Sequence, residues 1–206
     1  MILRLVKAPS SEPIQLSDVE GQTRLQNQLT PEKDTIELMI QSVRETAEGW
    51  LKRGLITQQW QLDLNTFPKG REKLVIPLPP LQTIDSIIYI DTTGTEQTLD
   101  PSLYKVVSDN SPNCNPGFIV PVYGTVWPTT LDDYSVVSIL FTCGYGPAEE
   151  NGPINVPAGI LQWMLIQVAN AIENRETVGV AYRETKFDIT DAIANGLIEK
   201  YRITKL

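Results

Sequence analysis

The segment from Leu74 to Val106, LVIPLPPLQTIDSIIYIDTTGTEQTLDPSLYKV, constrains the fold of this 206-residue chain more than any other. Apolar residues at strand spacing (Leu74, Ile76 and Leu78, then Ile84, Ile87, Ile88 and Ile90) are interrupted by Pro77, Pro79 and Pro80. Proline has no N–H to give to a sheet ladder, so this wedge predicts an edge strand or a corner between strands. Asp91-Thr92-Thr93-Gly94 then predicts a hairpin, because Gly94 supplies the positive φ of a short loop without steric cost.

The wider β region runs from Thr57 to Gly146, where apolar residues keep a period of two. Trp60, Leu62 and Leu64 alternate with polar neighbours, as do Val137, Ile139 and Phe141. Phe118 to Val120 and Tyr123 to Trp127 are expected to resume the sheet, and SDNSPNCNPG between the halves reads as an exposed loop.

Helical signals flank this region. Ser17 and Glu20 match an S-x-x-E capping box for a short first helix, weakened by Gly21. Thr30-Pro31 opens a longer helix, with proline at the first helical position and Glu32 and Asp34 at the positive end of the dipole. Ile36, Met39, Ile40, Val43, Ala47, Trp50 and Leu51 recur at helical spacing down to Gly54, which suits a C-terminal cap. That stripe reads most simply as core; the lesser alternative is that part of it faces another subunit. Pro157 opens a third helix reaching Arg175, in which only Gln162, Gln167 and Asn170 mark a narrow polar face. Thr190 can cap a last helix carrying Ile193, Leu197, Ile198 and Tyr201, with Gly196 inside it.

The predicted fold class is therefore α+β: a discontinuous helical bundle from residues 1–55 and 156–206, with an inserted, mainly antiparallel β region at 56–155. The chain is expected to begin and end helical, with 31–53 and 157–175 packed as the bundle's centre. Residues 177–206 read as a C-terminal arm or a closing helix.

Charge narrows the partners. With 17 basic and 25 acidic residues the chain carries −8, which argues against a surface that coats nucleic acid or an anionic membrane. Residues 177–206 are slightly basic, and the body carries the acidic excess. No Lys or Arg occurs between Lys105 and Arg175, an interval holding Asp109, Asp132, Asp133, Glu149, Glu150 and Glu173. This is either a solvated acidic loop region or a surface that must not hold phosphate. No stretch is long and apolar enough for a membrane span, and Arg4 and Lys7 break up any signal-peptide core at the N-terminus. Synthesis in a reducing cytoplasm is expected, since Cys114 and Cys143 match no metal or redox spacing.

Catalytic signals are sparse. The chain has no histidine, which removes the usual general base and the commonest transition-metal ligand. Cys143-Gly144-Tyr145-Gly146 lacks the leading glycine and the base of a nucleophile elbow. Asp132-Asp133 and Glu149-Glu150 could offer oxygens to a hard cation in a hydrolase, although adjacent loop acids are usually just solvated. Trp60, Trp127 and Tyr123 would suit a β-rich carbohydrate-binding module if they lined one exposed face. The expectation is a protein that is not an enzyme and takes no cofactor and no metal.

Several irregular stretches, in order along the chain, resemble the head–tail connector (adaptor) proteins of tailed bacteriophages, including those of prophages and gene-transfer particles. They are APSSEPIQLSDVEGQTRLQ, AEGWLKRGLITQQWQLDL, IPLPPLQTIDSIIYIDTTGTEQTLDPSLYKV, IVPVYGTVWPTT, VSILFTCGYG, VPAGILQWMLIQVANAIENRE and ANGLIEKYRI. Together they span nearly the whole chain. Two departures stand out: SDNSPNCNPG replaces a usually basic approach to the VP-x-x-x-x-x-WP stretch, and Gly21 interrupts the first helix.

The resemblance implies a structural protein of the virion neck, assembled in the host bacterial cytoplasm as a ring, usually a dodecamer, on the portal protein. Such a ring extends the DNA channel, lets DNA pass without specific binding, and docks a stopper or tail-terminator protein. A membrane has no part in it. The C-terminal segment is then the portal-contact candidate through Ile193, Leu197, Ile198, Tyr201 and Arg202, or else a helix that closes the chain's own bundle. Asp132 and Asp133 are the channel-facing candidates.

Overall fold

The computed structural model describes residues 1–23, 32–109, 111–146, 155–173 and 196–204. The fold is α+β, with helices distant in sequence brought together and an antiparallel β region inserted between them. In chain order the elements are β1 (Ile2–Lys7), α1 (Leu16–Thr23), α2 (Lys33–Leu51), β2 (Gln58–Leu64), β3 (Leu74–Val75), β4 (Leu81–Ile90), β5 (Glu96–Thr98), β6 (Tyr104–Val107), β7 (Phe118–Pro121), β8 (Val137–Cys143) and α3 (Ala158–Glu173). They build a five-stranded sheet of order β1-β2-β8-β4-β5 and a three-stranded sheet of order β3-β7-β6. No helix among the described residues is long and apolar enough to cross a membrane.

The helical core follows from the two wide apolar stripes. Ile36, Ile40, Ala47 and Leu51 of α2 bury with Ile160, Trp163, Met164 and Val168 of α3, and Val19 of α1 and the later Ile198 and Tyr201 complete the cluster. Both ends of the predicted capping scheme are displaced by two residues. The Asp18 carboxylate, not Glu20, reaches back to accept a backbone N–H, that of Gln15 at 2.8 Å, so Ser17 falls inside the helix. At the end of α2, Lys52 takes the left-handed cap at φ 55°, donating its N–H to Glu48 O. Gly54 serves closeness instead, since a Cβ there would lie 3.2 Å from both Cys143 Sγ and Gln58 Nε2.

The chain does not begin helical. Ile2–Lys7 form an edge strand on β2, from Ile2 opposite Asp63 to Lys7 opposite Gln59, with a bulge between Leu5 and Lys7. One of the charges that interrupt the apolar run ties it down: Arg4 Nε–H donates to Asp63 Oδ2 at 3.0 Å. A partner that far along the chain leaves no local signal.

The proline wedge is a corner. Leu74–Val75 pair with β7 in the smaller sheet, and Leu81 onward pairs with β8 in the larger one, so residues 76–80 carry the chain between sheets. Leu62, Ile87, Ile139 and Phe141 from one sheet and Leu74, Tyr104 and Ile119 from the other share a single apolar core. Tyr123 to Trp127 do not rejoin a strand. Gly124 at φ 84° turns the chain there, and the Trp127 ring stacks on Phe67 at 5.0 Å while its indole N–H donates to Glu72 O.

The expected hairpin joins β4 to β5, with Gly94 at φ 82°. Its loop is organised by the Asp91 carboxylate. That group accepts from the Thr93 hydroxyl at 2.5 Å, the Gln97 amide at 3.0 Å, and the N–H groups of Thr95 at 3.1 Å and Thr93 at 2.8 Å. These bonds, Thr93's hydroxyl foremost, hold the Asp91 carboxyl down at about 2 against an ordinary 3.8. A folded value below the unfolded one means the hairpin gains stability above the ordinary carboxylate range and loses it as pH falls from 3.8 through about 2. An NMR titration is expected to place the Asp91 midpoint near 2; a midpoint at the ordinary value would show that the loop does not hold the carboxylate.

Candidate functional site

Three distant segments converge on Arg53, just past α2 and 1% exposed. Its Nε–H donates to the Tyr201 carbonyl, and one terminal nitrogen donates to the Tyr145 hydroxyl at 3.1 Å and to Cys114 Sγ at 3.3 Å. The other terminal nitrogen donates to Asn113 Oδ1 at 3.3 Å, and the Tyr145 hydroxyl passes its proton bond on to Pro112 O at 2.6 Å. The rigid guanidinium fork suits this task, since it presents donors in several fixed directions. All four acceptors are uncharged, and burial pushes both the Cys114 thiol and the Tyr145 hydroxyl up, which keeps them so. The loop expected to be exposed therefore folds back at Cys114, which is fully buried.

A second buried arginine clamps the N-terminal lead. Arg44 lies on the core face of α2 and donates to Glu12 at 2.8 Å and to Glu48 at 2.9 Å. The other Glu48 oxygen accepts from Leu55 N–H at 2.8 Å and from the Gln58 amide at 2.7 Å, joining the helix to the start of β2. Neither arginine enters an apolar-period reading. For Arg44 a signal was present, namely its place one turn past Ile40 and just before Ala47 on the buried stripe.

Nothing in this polar framework is poised for chemistry. Burial also pushes the Cys143 thiol up, so neither cysteine carries the lowered thiol of an activated nucleophile. Among the described residues no three His, Cys, Asp or Glu gather as a metal would require. An open groove of about 850 Å³ lies between residues 11–17 and the first half of α2. Its Glu12 is committed to Arg44, and its Leu38 is exposed. The aromatic trio does not share a face. Trp127 is buried, Trp60 is half-buried, and only Tyr123 is open, with Arg71 over its ring at 5.6 Å.

The channel-facing candidates Asp132 and Asp133 are exposed in the loop before β8, where Asp133 accepts the Tyr134 N–H at 2.7 Å. The stretch without Lys or Arg is met in space by basic side chains from elsewhere, since Lys73 sits 5.3 Å over the Phe118 ring and Arg71 donates to Pro121 O. Of the portal-contact candidates, Ile198 and Tyr201 are buried in the helical core, Leu197 is half-buried, Arg202 is exposed over Trp50, and Ile193 lies outside the described residues. Thr190 and the acids Glu149 and Glu150 lie outside them too.

No protein-family model matches this sequence, and no curated protein does. Solved structures do match in fold. A chain in the neck of the empty gene transfer agent (GTA) particle, computed with C6 symmetry, is similar with a TM-score of 0.74 at 20% identity, over 100% of this chain and 97% of that one. A chain in the virion of the native GTA particle has a TM-score of 0.74 at 19% identity, with the same two coverages. One in the neck of the native particle, computed with C12 symmetry, has a TM-score of 0.71 at 19% identity, again over 100% and 97%.

Proposed function

We propose that this chain is a non-enzymatic structural protein of a virion neck, a head–tail adaptor that forms a ring on the portal protein. The observation that carries the proposal is the extent of the fold likeness, which takes in all of this chain and 97% of a GTA neck chain, helices and β region alike. The symmetry of those necks, C6 and C12, favours a ring, and a dodecamer is the copy number proposed. In this reading the ring assembles in the host bacterial cytoplasm, extends the DNA channel and docks a stopper or tail-terminator protein. Residues 1–55 and 156–206 act as the connector domain, 56–155 as the insertion.

Two surfaces complete the proposal. Asp132 and Asp133, exposed and acidic, face the lumen, where the absence of phosphate binding lets DNA slide. The C-terminal segment meets the portal, with Ile198 and Tyr201 seating it and Leu197 and Arg202 offering the contact. The carbohydrate-binding alternative loses its face to the burial of Trp127. Deleting the gene is expected to give filled heads without tails, and adding purified chain back should restore tail joining. Tailed, infectious or transducing particles from the deletion would overturn the adaptor reading.

A further inference from the structure

We infer that the edge of β1 is the binding surface for a second copy of this chain, which presents its β6 edge to it. This inference rests on the ring reading above and goes on to name the surfaces that meet. Ile2, Leu5 and Val6 are 52%, 47% and 52% exposed, although they stand on a sheet strand. The bulge between Leu5 and Lys7 leaves Val6 without a partner on β2, and Leu5 beside it is open as well. Leu3 packs against the sheet core, while Ile2, Leu5 and Val6 remain exposed beyond it.

A six-residue edge strand with four apolar residues and no proline is a template for another strand, and proteins normally blunt such edges by brevity, charge or bulges, of which β1 has Arg4, Lys7 and one bulge. The opposite edge of the same sheet is blunted in that way, since β5 has only three residues, Glu96, Gln97 and Thr98, all polar. The free edge that matches β1 belongs to the other sheet. Val106 and Val107 of β6 are each 42% exposed, on adjacent and therefore opposite-facing positions, and Leu103 just before them is 42% exposed as well.

Charge fits the same pairing. The basic charge on β1 that Asp63 does not take up is Lys7, while β6 is flanked by the exposed acids Asp100 and Asp109. Both acids are held below the ordinary carboxylate range by bonds from Ser102 and Ser111, so they stay ionised at neutral pH. Lys105 is the one like charge on β6, and Arg4 is already neutralised by Asp63. Because β1 and β6 are different surfaces, their contact is head-to-tail, the class that closes rings rather than two-fold dimers.

Cysteine pairing tests this. The variant carrying both Leu5→Cys and Val106→Cys, mildly oxidised, is expected to give a ladder of linked copies on non-reducing gels. The native Cys114 and Cys143 are buried and give little background. Linked product should exceed that of either single variant by about tenfold or more, because the contact holds the two thiols together. The assay is run on concentrated purified chain and on tailed particles. A ladder in both supports the pairing. Dimers from Leu5→Cys alone would mean that β1 pairs with β1, and would overturn it. Particles that contain the chain but yield no ladder would overturn the pairing and leave the adaptor reading standing. A ladder from purified chain that is absent from every particle would support the pairing while removing the neck from it. No ladder in either sample would overturn it outright.

Discussion

Replacing Arg53 with alanine is expected to destabilise the chain by about 3–5 kcal/mol, read as a lower urea midpoint. The size comes from two losses at one site. The long side chain leaves a void in a position only 1% exposed, and four acceptors drawn from distant segments lose their shared donor. Against a total stability of roughly 5–15 kcal/mol, that is a large fraction. Arg53→Met separates the two contributions. Methionine fills most of the volume but donates nothing, so it should recover the packing share and leave the Tyr201 carbonyl and the Asn113 amide oxygen without the donor they had. The loss should also be local in character, with amide exchange rising at residues 111–117 and 196–204 before the β region loosens. An alanine variant within about 1 kcal/mol of the parent would mean that the arginine merely occupies space.

The parts of the fold legible in the sequence are those whose burial is decided by near neighbours. The stripes of α2 and α3 and the alternation of β2 and β8 are readable because each buries one continuous face. The Asp91–Gly94 hairpin is readable because its turn glycine and all the donors to Asp91 lie within the seven residues from Asp91 to Gln97. What escapes is settled at long range. The β1 strand is a strand because β2 lies beside it, and its Arg4 reads as an interruption until Asp63 is placed next to it. Arg53 and Cys114 sit beside a glycine and inside a Pro/Asn-rich loop, and only the folded chain turns them inward to each other. The displaced caps at Gln15 and Lys52 teach a smaller lesson: a capping pattern names a residue type, and the neighbours decide which copy of it is used.

The same limit governs the C-terminal segment, where the largest remaining effect is expected. An apolar period of Leu197, Ile198 and Tyr201 shows that the segment has a face to bury, and says nothing about whether its own core or a partner receives it. In the folded chain the receiver is the helical core, where Ile198 is fully buried, Tyr201 and Ile203 nearly so, and the Ile203 N–H donates to Leu51 O at 3.1 Å. Gly159 of α3 admits this segment closely, since a Cβ there would lie 2.9 Å from Leu197 O. Deleting residues 196–206 exposes the matching surface of α2 and α3 and strips Arg53 of its Tyr201 acceptor. Three buried side chains at about 1.5–3 kcal/mol each set the scale, and a chain of this length should lose roughly 10–35 °C in Tm. Truncation by itself therefore cannot separate a seat from a docking surface, because an unfolded chain fails to dock for trivial reasons. Point variants can. Ile198→Ala should lower Tm by several degrees through the cavity it leaves. Arg202→Glu is exposed and should leave Tm nearly unchanged, yet weaken joining to portal-bearing heads if the segment's outer face meets the portal. Normal joining by a stable Arg202→Glu chain would move the portal contact to another surface. A truncated chain that melts like the parent would show that the C-terminal turn is not part of the core.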